Sequence, residues 1–507
     1  GTVGEAAAFI DRSTTFGAWR NFQNVEGSAG IGASANLRAP IPGFGTVLRP
    51  RYGQDPYIGF KFGPFYVDNV YAGAGVMYSD YQGFPPGVRP GQQADADHWG
   101  AVVWASARLT TYITDRFAFS LQPFVYWLPL EGEVGWAVGN AYFGLNPSMS
   151  PRTVAQVSFR IPLEAWDLTF YDQFDALFLQ QSFLSENVIF DARMSDLSPV
   201  DTVGRYRFGG LGSPYIDARG QASFSANDRL FDNDRFFFRN FAGALLAGRL
   251  SEDVSMGVTL NRMDLWDSDF DHLTSWNTAS VAVVRDGGRA FKPYAMYTAS
   301  TRDDFDIIYQ WINVGASFVL APQVDGYAQV GYLWSTGGEG LRDSDSWLGE
   351  VGLRQRLGIY TEHGLRGGRR VTDPEFGARS LADFVTYYFS QSLGPNTTLS
   401  FLAQYSDVDY LGDRFLGDYK AYGAALVARH QISRRSSLTA YASFERVEAD
   451  DARRGWDLWT YRLTYLRSFG ETVTGQLLYQ YQHSASSVTI RDDFTEHLLY
   501  MGIIKRF

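Results

Sequence analysis

The sequence has no cysteine, very little lysine and no long apolar run. Without cysteine, its 507 residues cannot form disulfides, thiolate metal sites or cysteine nucleophiles. No stretch approaches the roughly 18 apolar residues that a membrane-spanning helix requires, which excludes a helical membrane protein. Only four of the 44 basic residues are lysines: Lys61, Lys292, Lys420 and Lys505. This bias fits either a GC-rich genome or a need for planar cations that present several donors at once.

The histidines and the overall charge show no pattern of an enzyme, a metal site or a nucleic-acid surface. The six histidines are scattered without the spacing of metal ligands. His483, which precedes Ser484, is the best candidate for hydrolytic chemistry, but no partner residues accompany it. The net charge of −11 does not favour binding to nucleic acid. We therefore predict no enzyme activity, no catalytic residue, no metal, no cofactor and no nucleic-acid partner.

Apolar and polar residues alternate with period two over most of the chain. Between positions 99 and 113, apolar side chains such as Val103 and Leu109 occupy odd positions, while Arg108 and Thr110 occupy even ones. Period two is typical of a β-strand with one apolar and one polar face. The segments run over roughly 10 to 14 residues, which is longer than the usual strand of about 5 to 6 residues. Aromatic residues are also abundant, at 16% of the chain, and there are 52 glycines.

Short and long connections alternate between these segments, which predicts a barrel in a membrane. Short connections fall at 322–325 and 469–471, and longer ones at 81–97 and 300–306. Tilted strands of about 9 to 11 residues cross a bilayer, and closure of the sheet satisfies every backbone group. We predict an all-β fold, a transmembrane antiparallel up-and-down β-barrel of about 22 strands, within a range of roughly 16 to 26. Residues 1–27 would form a short N-terminal segment and residues 28–507 the barrel with long outer loops.

Aromatic residues near the ends of the segments predict belts at the two membrane interfaces. The candidate belt residues are Tyr78, Trp99, Tyr112, Tyr332, Trp334 and Trp347.

The end of the sequence resembles the last strand of bacterial outer-membrane barrels. In that family the strand carries an aromatic residue, a glycine two positions later and a terminal phenylalanine. The stretch YMGIIKRF supplies Tyr500, Gly502 and Phe507, although Lys505 stands where an apolar residue is usual. The resemblance implies a place in the bacterial outer membrane, among its lipid and lipopolysaccharide. It also implies that the barrel-assembly machinery recognises these three residues as an assembly signal.

Assigning strand faces by parity places a set of charged residues on the inward face of the barrel. The basic candidates are Arg38, Arg108, Arg160, Arg239, Arg249, Arg354, Arg356 and Arg462, and the acidic ones are Asp167, Asp175, Glu350 and Glu445. A surplus of inward arginine predicts a pore wall that favours anions. The competing interpretation is that these arginines pair with inward acids and tyrosine hydroxyls and brace the wall. A bulge of one residue would reverse the faces of a strand.

The chain resembles porins in having no room for an N-terminal plug domain, and alginate-type exporters in its arginine-bearing lumen. This resemblance implies an outer-membrane channel or export conduit for anionic solutes or polymers. The alternative is a structural barrel in a multi-protein envelope complex, with its lumen filled by a partner.

Because wide barrels are normally plugged, we expect inward loops or a partner protein to narrow the lumen. The candidate loops are 180–234, 81–97 and 132–151. The glycine-rich stretch 364–370 is assigned to an outer loop, which either contacts lipopolysaccharide phosphates or is simply basic.

Overall fold

The computed structural model describes residues 60–62, 65–83, 96–114, 117–121, 124–128, 133–136, 152–163, 166–177, 237–251, 253–266, 270, 272–285, 291–302, 305–337, 345–358, 360–372, 380–410, 419–449, 456–470, 472–486 and 494–506. The predicted N-terminal segment 1–27 and the predicted start of the barrel at Ser28 lie outside these ranges, as do Arg38, Phe507, the candidate loop 180–234 and most of the loops 81–97 and 132–151.

The described residues form 23 strands. In chain order they are β1 Phe60–Phe62, β2 Phe65–Gly83, β3 Ala96–Thr114, β4 Phe117–Leu121, β5 Phe124–Leu128, β6 Glu133–Trp136, β7 Arg152–Pro162, β8 Trp166–Leu177, β9 Phe237–Arg249, β10 Val254–Trp266, β11 His272–Arg285, β12 Phe291–Arg302, β13 Phe305–Ala321, β14 Val324–Gly337, β15 Ser346–Leu357, β16 Thr361–Thr372, β17 Ser380–Ser392, β18 Thr397–Tyr410, β19 Tyr419–Ser433, β20 Ser436–Ala449, β21 Trp456–Ser468, β22 Val473–Ser486 and β23 Phe494–Arg506. No helix among the described residues is long and apolar enough to span a membrane.

Antiparallel pairing links these strands into one circuit. From β7 to β23 each strand pairs with the next along the chain. β23 then pairs with β2, and β2 leads back to β7 through β3 and β4. The sheet therefore closes on itself, and the predicted antiparallel up-and-down β-barrel is confirmed.

The number of strands in the described circuit is smaller than the prediction of about 22. β1 and β6 pair only at its margin, and β4 and β5 lie in succession along β3 as one interrupted strand. The 23 described strands therefore supply 20 positions in the circuit. This number lies within the predicted range and is even. The sequence count began at Ser28, outside the described residues, whereas the circuit begins with β2.

Strand alternation separates the outer and inner surfaces of the barrel. In β15, Leu348, Glu350 and Arg354 are buried, whereas Val351 and Leu353 are exposed. The same alternation leaves a band of exposed apolar side chains on the outward faces: Val314, Val330, Val351, Leu365, Val385, Leu426, Leu463, Leu477, Leu499, Met501 and Ile503. A folded protein in water does not expose so large a continuous apolar surface, so this band indicates contact with lipid.

Three of the predicted belt residues lie together at the outer ends of β14 and β15. The rings of Tyr332 and Trp334 stack with centroids 6.4 Å apart, and Trp347 meets Tyr332 edge-on at 5.1 Å. Trp347 is 71% exposed. Amphipathic rings in this position suit the boundary between lipid and water. The side chains of Trp99 and Tyr112 lie outside the described part of the structure.

Two predicted loops are strand in the structure. The glycine-rich stretch 364–370 lies within β16, so its assignment to an outer loop is wrong. The predicted long loop at 300–306 is also too long, since β12 continues to Arg302 and β13 begins at Phe305. In both places cross-strand pairing overrides a local sequence pattern that is typical of loops.

Candidate functional site

The inner wall of the barrel is the candidate site, because it collects polar side chains that a lipid-facing surface could not carry. Its best-described part runs across β13–β18. Polar side chains there are at least nine-tenths buried: Asn313, Gln329, Glu350, Arg354, Arg366, Thr386 and Gln404. They alternate with the exposed apolar residues of the outward faces, so each points away from lipid.

Four of the predicted pore-lining residues have described side chains, and all four lie on inward faces. Glu350, Arg354 and Arg356 share one face of β15, and Arg462 shares a face of β21 with the buried Thr460. The other candidates are described only as backbone. They are Arg108 in β3, Arg160 in β7, Arg239 and Arg249 in β9, and Glu445 in β20, together with Asp167 and Asp175 in β8. Their role in lining a pore stays a prediction.

Glu350 is held by neighbouring strands at mid-height in the wall. The Tyr327 hydroxyl donates a hydrogen bond to Glu350 Oε1. Gln329 is the register partner of Glu350 and itself accepts a hydrogen bond of 2.7 Å from the Tyr294 hydroxyl. This inward carboxylate is therefore held by one hydrogen bond from an uncharged group, and its Oε2 is buried without a hydrogen-bond partner among the described residues.

Arg356 has the bracing role that the competing interpretation predicts. Its Nε lies 3.6 Å from Glu362 Oε2 on the neighbouring strand β16. The Tyr388 hydroxyl donates a 3.1 Å hydrogen bond to the other oxygen of Glu362. Three strands are tied together at the short-turn end of the barrel, and the charge of Arg356 is compensated there.

Arg462 is bound differently, because both of its described partners are neutral. Its Nε donates to Gln480 Oε1 at 2.8 Å, and its guanidinium lies 5.9 Å from the centre of the Tyr441 ring. These contacts position the side chain without cancelling its charge. Arg462 therefore adds positive potential to the interior.

Two inward arginines escaped the sequence analysis. Arg366 was assigned to a loop but lies buried on the inward face of β16. Arg429 shares the inward face of β19 with the buried Val427, while Leu426, on the other face of the strand, is exposed. Parity along VARHQ would have found Arg429. No local signal would have found Arg366, because its neighbours are glycines.

The seam between the first and last strands of the circuit contains two residues of the predicted assembly signal. Tyr500 is buried, and its ring covers both Gly502 and Gly75, which are register partners across the seam. A β-carbon at either glycine would overlap this ring. Leu499, Met501 and Ile503 point outward instead. Recognition of Tyr500, Gly502 and Phe507 by assembly machinery stays a prediction.

The contact of His483 and the arrangement of possible metal ligands bear on hydrolysis and on metal binding. His483 Nδ1 lies 3.0 Å from the Thr495 hydroxyl on the adjacent strand. Within the described ranges, no group of three or more histidine, aspartate and glutamate side chains is arranged to hold a metal ion.

The closed antiparallel circuit, the apolar outward band and the polar interior define a transmembrane β-barrel. No protein-family model matches the chain, and no curated protein matches its sequence.

Several solved structures align with most of the chain at low identity. The siderophore receptor PirA from Pseudomonas aeruginosa is 9% identical, with 87% of this chain and 80% of that chain covered and a TM-score of 0.44. OccK2 (OpdF) from the same organism, in complex with glucuronate, is 9% identical over 87% of this chain and 98% of that chain, with a TM-score of 0.40. Acinetobacter baumannii OccAB4 is 10% identical over 87% and 98%, with a TM-score of 0.35. These scores are too low to assign a family or a ligand.

Proposed function

We propose that the protein is a channel of the bacterial outer membrane whose inner wall favours anionic solutes. The observation that carries this proposal is the charge balance of the described inward side chains on β15–β21. Five arginines, Arg354, Arg356, Arg366, Arg429 and Arg462, face inward there against two glutamates, Glu350 and Glu362.

The contacts of two of these arginines show what becomes of the charge. Glu362 compensates Arg356, whereas Arg462 contacts the neutral Gln480 and the Tyr441 ring and keeps its positive charge. Basic side chains on a pore wall raise the local concentration of anions and lower that of cations, which sets the sign of selectivity. Low-dielectric walls on all sides strengthen this field relative to the same charges on an open surface.

A pair of substitutions on one strand tests the proposal. Arg462→Glu reverses an inward charge. We expect it to lower the anion-to-cation permeability ratio about two- to fivefold, because a solvated charge interaction contributes roughly 0.5 to 1 kcal/mol. Arg467→Glu makes the same change on the outward face of β21, beside the Phe469 ring at 5.7 Å. Reversal potentials in planar bilayers under a salt gradient provide the measurement. Equal effects of the two variants, or a cation-selective parent, would refute the anion-favouring wall.

A second candidate function is a structural barrel whose interior is filled by another polypeptide. The observation in its favour is an apolar cluster that includes inward side chains of three strands and Leu381 of β17. Tyr309 and Trp311 of β13, Leu333 of β14 and Leu348 of β15 belong to this cluster and are all at most 5% exposed. Because these side chains are already out of contact with water, this part of the interior is packed by side chains, as the interior of a filled barrel would be. A stoichiometric second chain that co-purifies with a non-conducting barrel would favour this candidate.

A further inference from the structure

The inward positions around Arg366 carry almost no side chains, and we call this patch of the inner wall the clearing. Its register partners are Gly352 on β15 and Thr386 on β17. Gly364 and Gly368 occupy the positions before and after it on the same face of β16, since facing residues recur every second position. Of its four nearest inward neighbours, only Thr386 has a side chain.

Two tyrosine rings form the sides of this clearing. Tyr327 lies over Gly352 and Tyr388 lies over Gly364, so closely that a β-carbon on either glycine would overlap a ring. Their hydroxyls donate to Glu350 and to Glu362 respectively. Both rings are therefore fixed in place.

The two polar groups in the clearing lack partners. Arg366 is 7% exposed and Thr386 is 2% exposed. Arg366 Nη1 and Thr386 Oγ1 are buried, and neither has a hydrogen-bond partner in the described structure. A buried donor without an acceptor is unfavourable, most of all on a charged group. Two such donors on adjacent strands call for an acceptor between them.

We propose that Arg366 and Thr386 form a binding station for an oxyanion group, a carboxylate or a phosphate. The guanidinium supplies charge-assisted hydrogen bonds, and the threonine hydroxyl supplies one more. The glycines at the neighbouring inward positions place no side chain of their own against the guanidinium, and the Tyr327 and Tyr388 rings lie over Gly352 and Gly364 beside it. This inference deepens the proposed function and rests on it for the path by which the solute arrives, but binding itself does not require conduction.

Titration calorimetry of the purified full-length protein in detergent tests the station, with inorganic phosphate and acetate as probes. We expect one or both probes to bind the parent protein. Arg366→Gln should weaken that binding about tenfold or more, because it removes the charge and the guanidinium donors, and Thr386→Val about two- to fivefold, because it removes one neutral hydroxyl. Arg366→Lys keeps the charge but loses the planar fork, so its affinity should fall between those of the parent and Arg366→Gln.

Arg369→Gln is the matched control, because Arg369 lies on the outward face of the same strand and pairs with Asp383 at 2.5 Å. It should leave binding unchanged. If Arg366→Gln does not fold, Thr386→Val and Arg366→Lys carry the comparison. Binding that is equal in all variants, or absent from the parent, would overturn the station. Anion-selective currents without binding would contradict the binding station and support the channel. Binding without currents would support the binding station and contradict the channel.

Discussion

Gly75→Val is expected to lower the fraction of the protein that closes into a barrel. The Tyr500 ring already fills the space above Gly75 and Gly502 at the seam, so valine has no room there. Overpacking of a well-packed site costs about 1 to 3 kcal/mol, and the upper end applies here because the ring is trapped against two glycines. The measurement is the folded fraction after refolding into lipid vesicles, read from the heat-modifiable mobility of the barrel on electrophoresis.

Gly470→Val is the control for this experiment, since nothing lies within 4 Å of a β-carbon at that position. It should fold like the parent. The double variant Gly75→Val with Tyr500→Ala should recover part of the folded fraction, because it removes the ring that valine strikes. A parent-like yield for Gly75→Val alone would show that the ring moves aside at no cost.

Val330→Arg is expected to lower the free energy of unfolding in a bilayer by about 2 to 4 kcal/mol. Val330 lies near the middle of β14 on the outward face and is 58% exposed, so a charge there would meet lipid tails. Thr336→Arg places the same side chain on the same face of the same strand, at its outer end. There the cost should be about 0 to 1 kcal/mol, since the charge reaches the interface.

Denaturant titration of the two variants in lipid vesicles gives both free energies. The gap between them is the quantity of interest, because it reports the depth of each position and cancels the intrinsic cost of arginine in a strand. Similar values for the two variants would place this outward face in water and would remove the argument for a membrane-spanning wall.

The sequence predicts the faces of the strands well, because alternation is a property of each strand alone. His497, Leu499, Met501 and Ile503 share one face in the pattern, and in β23 the last three are exposed on the outward surface. Glu350 and Arg354 follow from the same rule. Hydropathy within a strand is sufficient for this, since each side chain reports the solvent of its own face.

Side-chain contacts between strands are harder to predict from the sequence than the two faces of a single strand. Glycine clusters are typical of loops, so the stretch 364–370 resembles a loop in the sequence. In the structure, Tyr388 lies over Gly364 of this stretch and Tyr327 lies over Gly352 on the adjacent strand. Those rings come from β14 and β17, and no local pattern places them beside β16. The clearing around Arg366 is invisible for the same reason. It consists of glycines on two strands and one threonine on a third.

The seam between β2 and β23 also sets an order of events in folding. Most strands pair with a strand adjacent in sequence, so hairpins can form early and at small cost in chain entropy. The seam alone joins Tyr71 to Arg506, at opposite ends of the described chain. Until it forms, β2 and β23 present unpaired edges, which are templates for pairing with other chains. The Tyr500 ring packs over Gly75 at this seam. Its packing thus stabilises the pairing that removes the last two unpaired edges, which are the edges most open to aggregation.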